Sequence, residues 1–451
     1  MSAKVQYVDV IFPATLEKSF TYQAPSGYDG TLAPGQRVVA PLKSSSAIGF
    51  IINLDPIVPA NLKIREIQEI IDPQPIFPPE LLTFLKKIAD YYLTPFGRVL
   101  AAAIPAEYRF IKTRTLKASR LDGAQPTEYG DLFAYIAERR EVKYSQLKRQ
   151  FETTYLQKGL MALKKEGFIA ELVEFKPSKY QGHIEKTVRL LNTDDETLSA
   201  IARKAPRQAE ILNALQSVGE PLKGRDLRRF SPTALNALAR KELIAIDTTD
   251  RTLSDLWSEF GERRKTITLT EDQYQVFQAI SDSIKSAKYN AFLLEGVTGS
   301  GKTEIYLEAI RETLAQGRTA LVLVPEITLT THLAARFRGE FQDQIAIWHS
   351  RLTQAQRSAI WGAVLRGEFP VVIGARSAIF MPLPNLGLII VDEEQDNSFK
   401  QKSPEPRYHA RDAALLRGVE SQATVVLGSA TPSLESQYNA IIGKLNKLAL
   451  P

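Results

Sequence analysis

Eight residues, Gly296-Val297-Thr298-Gly299-Ser300-Gly301-Lys302-Thr303, limit what this chain can fold into more than any other stretch. They fit the phosphate-binding loop pattern without a mismatch, and average residue usage yields such a match by chance in about 2% of chains of this length. The context agrees, because Phe292-Leu293-Leu294 reads as an entering strand and Glu304-Ile305-Tyr306-Leu307-Glu308 as a departing helix. Glycines in such a loop let backbone N–H groups close around a β-phosphate. The helix N-terminus adds partial positive charge, and Lys302 neutralises the β- and γ-oxygens. Thr303 is the expected Mg²⁺ ligand, with ATP the expected nucleotide across Gly296–Thr303.

The loop sits in a segment that alternates strands and helices. Ala291–Glu295, Ala320–Pro325, Val371–Ile373, Leu388–Val391 and Thr424–Leu427 are short apolar runs, as strands buried on both faces of a parallel sheet require. A doubly wound, RecA-like α/β lobe over residues 263–451 is therefore expected. Asp392-Glu393 directly follows one of these runs, at the carboxyl end of the sheet where a second metal anchor belongs. Asp392 would hold Mg²⁺ through its water shell, and Glu393 would orient or deprotonate the attacking water, so Lys302, Asp392 and Glu393 form the expected catalytic set. Gly428-Ser429-Ala430-Thr431-Pro432 follows another strand and could sense the γ-phosphate. Gly374-Ala375-Arg376-Ser377-Ala378 follows a third, where Arg376 and Ser377 would grip a phosphodiester. Between residues 395 and 411, aromatics alternate with cations. Phe399 and Tyr408 offer stacking faces while Lys400, Lys402, Arg407 and Arg411 would track phosphates, a composition suited to single-stranded DNA.

The rest of the chain reads differently. Residues 5–53 alternate short strands with Gly and Pro turns, the pattern of a small barrel or twisted sheet, and a helix is expected from Pro79 to Tyr92 before the unit closes near Pro105. Two later stretches, Gly130–Ile169 and Ala209–Ile246, share an outline of three short amphipathic helices and a β segment, which suggests a diverged winged-helix pair. Gly224-Arg225-Asp226-Leu227 would be the middle helix of the second, and Lys176–Thr193 reads as a linker or edge hairpin. The fold class expected is multidomain α/β: a β-rich unit over 1–108, a winged-helix-like α+β region over 109–262 and the RecA-like lobe. With 57 Lys and Arg against 51 Asp and Glu, the surplus of basic residues permits nucleic acid without proving it. The chain has no cysteine, which removes disulfides, thiolate nucleophiles and Cys-based zinc sites. No apolar run approaches the ~18 residues of a bilayer-spanning helix, and the start lacks a secretory signal, so a cytoplasmic protein with no membrane association is expected.

Taken in order, Leu269-Thr270-x-x-Gln273, the phosphate loop, Val324-Pro325-Glu326-Ile327-x-Leu329-Thr330, His349-Ser350, Gly374–Ala378, Asp392-Glu393-Glu394 and Gly428–Pro432 resemble the motifs of superfamily 2 helicases. Their wording is closer still to the PriA family of primosomal replication-restart helicases, and the resemblance runs over essentially the whole chain. It implies an ATP-dependent 3′-to-5′ DNA helicase that recognises abandoned replication forks, unwinds lagging-strand DNA and initiates primosome assembly. Branched and single-stranded DNA, primosome proteins and single-stranded-DNA-binding protein would be its partners, and a monomer is expected. It also implies that Gln273 reads adenine, that the 395–411 loop couples DNA binding to hydrolysis, and that the N-terminal unit holds a nascent 3′ end through Phe20 and Arg65.

Two departures stand out. The family pattern has His after the two glutamates where this chain has Gln395, which can hydrogen-bond but cannot titrate, and Phe-Asp-Tyr where this chain reads Phe20-Thr21-Tyr22. Family members also continue past the last motif into a zinc-binding insertion and a second lobe with an arginine finger. The chain is accordingly expected to be a fragment, with zinc belonging to the part that follows. Two other readings compete. One is a non-enzymatic fork-binding module, and the other is a different superfamily 2 translocase, which the N-terminal unit disfavours.

Overall fold

The computed structural model describes residues 6–13, 18–25, 28, 30–42, 45–58, 64–72, 74–105, 111–119, 126, 128–176, 184–191, 205–218, 222, 230–241, 243–250, 253, 256–257, 268–326 and 331–451. The chain forms two compact units, one made of Met1–Lys179 with Glu262–Pro451 and the other of Tyr180–Gly261. Gly224–Leu227 and Ile327–Thr330 lie outside the described residues.

In the first unit, β1 (Tyr7–Ile11), β2 (Phe20–Gln23), β3 (Arg37–Leu42), β4 (Ser45–Leu54), β5 (Arg65–Glu66) and β6 (Glu69–Ile70) form one sheet in the order β5-β2-β1-β4-β3-β6. Alternation sends Val8, Val10, Tyr22, Val38 and Ile51 into a common core. Asp9, opposite Thr21 on β2 and Asn53 on β4, faces the other way. Pro34-Gly35 turns the chain into β3, and Gly35 is required there: its φ is +91°, and a Cβ would stand 2.6 Å from Phe77 O. α1 (Pro79–Tyr91) starts on a proline at its first position and buries Leu81, Leu82, Phe84, Leu85, Ile88 and Ala89. α2 (Phe96–Ala103) follows it, a helix not anticipated from sequence.

β7 (Ile111–Ala118), α3 (Gly130–Arg139), β8 (Glu141–Lys143), α4 (Tyr144–Gln150), α5 (Thr153–Lys165) and β9 (Ile169–Lys176) give three helices against a sheet ordered β8-β7-β9. Leu116, Leu132, Ile136, Leu147, Leu156 and Leu163 form its core. The second compact unit holds β10 (Ile184–Leu190), α6 (Pro206–Val218), α7 (Pro232–Arg240) and β11 (Ile244–Asp250). β10 corrects the expectation of a linker or edge hairpin: it pairs antiparallel with β11 along its whole length, and Val188 enters that unit's core.

The C-terminal part is built from α8 (Glu271–Ser286), β12 (Asn290–Gly296), α9 (Lys302–Ala315), β13 (Thr319–Leu323), α10 (Thr331–Phe341), β14 (Ile345–Trp348), α11 (Gln354–Leu365), β15 (Val371–Gly374), β16 (Leu386–Asp392), α12 (Ala410–Ser421), β17 (Thr424–Ser429), α13 (Leu434–Ile441) and β18 (Asn446–Leu450). Seven parallel strands run in the order β14-β15-β13-β16-β17-β12-β18. All five apolar runs are central strands, as expected of segments covered on both faces. β14 and β18 are the additional strands, one at each edge.

The N-terminal sheet and this lobe share a packed interface. Phe50 on β4 meets Phe77 with ring centroids 5.5 Å apart, and Phe77 meets Trp361 on α11 edge-on at 6.2 Å. From α1, Phe84 lies 6.3 Å from Phe380, and the Arg417 guanidinium of α12 sits 5.8 Å over the Phe84 ring. Among the described residues, no helix is long and apolar enough to cross a membrane.

Candidate nucleotide and DNA site

The phosphate loop leaves β12 and enters α9 through Gly299 and Gly301, whose φ values of +87° and +89° would strain any L side chain. Thr270 caps α8 by accepting from Gln273 N. The Gln273 amide in turn accepts from Thr270 N at 3.0 Å and donates to Ser300 O at 2.9 Å. A Cβ on Gly301 would stand 2.2 Å from that amide nitrogen, so the tight loop depends on glycine there. Gln273 is thus engaged in shaping the loop. Lys302 is buried, and its Nζ donates to Gly296 O at 2.6 Å and Val297 O at 3.3 Å. Ser300 Oγ is buried without a hydrogen-bond partner among the described residues, an unmet polar atom within the loop. Val297, Thr298 and Gly299 are exposed, so the loop opens to solvent. This arrangement fits a phosphate group.

The acidic pair ends β16, two strands from β12. Asp392 lies in register with Gly428 on β17, and Gly428 with Leu294 on β12, so three motif-bearing strand ends are contiguous. Burial pushes the Asp392 carboxyl up. A hydrogen bond from Tyr306 pulls it down, the neighbouring Glu393 charge raises it, and the charge of Lys302 lowers it. Glu393 has a left-handed backbone, φ +49°. Gln395 Nε2 donates to Glu393 Oε2 at 2.8 Å, and Ser429 Oγ donates to Gln395 Oε1 at 2.6 Å. Thr431 N closes the chain on Ser429 Oγ at 2.9 Å. Gln395 thus hydrogen-bonds across the two motifs, since an amide donates at one end and accepts at the other.

Glu394 is fully buried. It accepts from Ser433 N at 2.7 Å, from the hydroxyls of Ser433 and Ser436 at 3.0 and 2.8 Å, and from Arg411 Nη1 at 3.2 Å. This corrects the reading of Arg411 as a phosphate contact: the residue is 7% exposed and neutralises a buried carboxylate. Sequence reasoning missed the network, although an acid inside the acidic motif that is not at the strand end was a signal.

The aromatics of the 395–411 loop are also corrected. Phe399 is 0% exposed and Tyr408 is 1% exposed, so neither presents a stacking face. Tyr408 packs on Phe380 with centroids 5.0 Å apart, and its hydroxyl reaches 3.5 Å from Arg376 O. Arg376 Nη1 donates to Ser398 O at 3.1 Å and Lys400 O at 2.9 Å, so it braces the loop. Ser377 is exposed and accepts from Trp348 Nε1 at 2.9 Å. Lys400, Lys402 and Arg407 are exposed, as a phosphate-tracking role requires. The loop is tied to the N-terminal helices through His409 N donating to Tyr92 Oη at 3.1 Å and through an Arg98–Glu405 ion pair.

On the N-terminal sheet, Phe20 is 38% exposed, and Arg65 is exposed in register with Tyr22. The two therefore share one face near the sheet edge. On the opposite face Asp9 accepts from Thr21 Oγ1 at 2.7 Å and from Asn53 Nδ2 at 3.1 Å, so a carboxylate stands on the strand beside Thr21.

Comparison with known proteins finds two family matches. The 3′DNA-binding domain family of PriA matches residues 9–105, and the DEAD/DEAH box helicase family matches residues 270–440. The replication restart protein PriA of Bacillus subtilis is 32% identical over 448 residues, covering 96% of this chain and 54% of that protein. PriA of Synechocystis is 35% identical over 439 residues, covering 94% of this chain and 51% of that one. The chain spans about half the length of the curated relatives it matches. It belongs to the family of the replication restart protein PriA.

Proposed function

We infer that this chain is the nucleotide-hydrolysing and DNA-engaging part of an ATP-dependent 3′-to-5′ helicase that acts at stalled or abandoned replication forks and initiates primosome assembly, a cytoplasmic role. The observation that carries the reading is the contiguity of the strand ends at Gly296, Asp392 and Gly428 on β12, β16 and β17. Loop amides and Lys302 would hold the β- and γ-phosphates. Thr303 and Asp392 would hold Mg²⁺, which when bound supplies charge neutralisation on the phosphate oxygens. Glu393, held by Gln395, would orient the attacking water and take its proton as the water displaces the leaving oxygen in line. The relay Glu393–Gln395–Ser429 would report the γ-phosphate to Thr431.

Residues 1–108, 109–262 and 263–451 would serve as 3′-end binder, winged-helix region and motor lobe. Phe20 and Arg65 would meet the terminal nucleotide, and Arg376, Ser377, Lys400, Lys402 and Arg407 the strand backbone. Primosome proteins and single-stranded-DNA-binding protein would be partners, as in the family this chain resembles.

Steady-state ATPase of the chain with and without fork DNA, beside fork binding by anisotropy, tests the reading. Lys302→Ala is expected to abolish nucleotide binding and turnover and to leave fork binding intact. Glu393→Gln should bind nucleotide normally and not turn it over. Equal loss of fork and nucleotide binding in Lys302→Ala would make the loop structural, and fork binding without any turnover in the unsubstituted chain would favour a binding-only module.

A further inference from the structure

Tyr306 lies one helical turn beyond Lys302 on α9 and is 2% exposed. Its hydroxyl donates to Asp392 Oδ1 at 3.0 Å. The same oxygen explains a residue on the strand next to β12: an ideal Cβ on Gly428 would stand 1.7 Å from Tyr306 Oη and 3.5 Å from Asp392 Oδ1. Tyr306 Oη thus occupies the space above Gly428 and abuts the carboxylate beside it in register. A phenylalanine would satisfy the apolar packing of α9 equally well, so burial alone does not explain the hydroxyl. An aspartate carboxylate rotates broadly about its last torsion, and a donor fixed on one oxygen removes that freedom.

We propose that Tyr306 is a positioning residue for the nucleotide-linked Mg²⁺: it pins one oxygen of Asp392 so that the other is presented to the cation's water shell, and Gly428 is the space this hydroxyl needs. The proposal rests on the reading of Asp392 as the carboxylate that holds Mg²⁺. The hydroxyl belongs to the helix that carries Lys302 and Thr303, so loop, carboxylate and the Gly428–Pro432 segment are fixed against one another through one oxygen atom. Partners that orient a metal-holding group typically matter by 10- to 100-fold in metal affinity.

The test titrates a fluorescent non-hydrolysable ATP analogue into the chain with saturating Mg²⁺ and again in EDTA. Tyr306→Phe is expected to lower the ratio of the two affinities by roughly 10-fold or more while leaving the EDTA affinity unchanged. A ratio equal to that of the unsubstituted chain would overturn the positioning role. An unsubstituted chain with no Mg²⁺-dependent binding would overturn the nucleotide reading itself, so the two failures are distinct. Thermal unfolding tests the steric half. Gly428→Ala should lower the melting temperature, and Tyr306→Phe should restore part of the loss, part only because the Tyr306 Cζ ring carbon remains 3.0 Å from the new methyl group. An equal loss in both backgrounds would show that Gly428 answers to something other than the hydroxyl.

Discussion

Two loops leave strands of one sheet that are separated only by β17, and they present opposite faces to solvent. The loop after β12 exposes Val297, Thr298 and Gly299 and keeps an unmet hydroxyl inside. The segment after β16 sends its aromatic rings and Arg411 inward and leaves Lys400, Lys402 and Arg407 outside, together with Asn397, Ser403, Pro404 and Glu405. The first is shaped to receive a ligand through its backbone. The second is a braced surface that offers charge, because its hydrophobic groups are already spent on Phe380 and the N-terminal helices. Coupling between DNA and nucleotide would then travel through the brace at Arg376 and the relay at Gln395.

The contrast breaks first at its buried end. Arg411→Ala strands the Glu394 carboxylate without its cation and should cost about 3–5 kcal/mol in urea unfolding. A DNA-facing arginine would leave stability within about 0.5 kcal/mol and weaken DNA binding alone. Phe399→Ala should cost a similar ~3–5 kcal/mol, because a fully buried ring is replaced by a cavity. A stable Phe399→Ala chain with weak single-strand binding would return the ring to the DNA face.

The exposed end gives smaller effects of another kind. Alanine at Lys400, Lys402 or Arg407 should each lower the slope of log affinity against log salt by about 1 and leave unfolding within about 0.5 kcal/mol. Anisotropy titrations over a salt series measure the slope. The smallest effect is a pH dependence. Burial lowers the His409 pKa below its ordinary 6.5, so the unfolded chain takes up a proton first. Its contribution to stability is complete above about pH 6.5 and declines as the pH falls toward the lowered folded-state value. His409→Gln should flatten that limb of the melting-temperature curve. A curve unchanged by the substitution would place the dependence on another group.

The nucleotide loop was legible because its chemistry is local: left-handed glycines, a lysine and a hydroxyl at fixed spacing between a strand and a helix are all written within eight residues. The five central strands were legible because burial on both faces removes alternation. The inward turn of Phe399 and Tyr408 was not, since an aromatic among cations reads the same whichever way its ring points. What decides it lies far away in sequence, at Phe380, Arg376 and Tyr92. Tyr306 was hidden for a related reason: an aromatic on a buried helix reads as core, and only the position of Asp392 gives its hydroxyl a purpose. β18 was missed because an edge strand with an exposed Asn446-Lys447 start carries little apolar pattern.

The aromatic run from Phe50 through Phe77 to Trp361, with Phe84 beside Phe380, joins the N-terminal sheet and the C-terminal lobe as building blocks. A C-terminal lobe excised at residue 268 would bare that seam to water, and a sheet transplanted onto a foreign lobe would arrive without its counterpart. Recombination between relatives would therefore have to exchange the two together, and an engineer who wants the lobe alone must first repaint Trp361 and Phe380 with polar side chains.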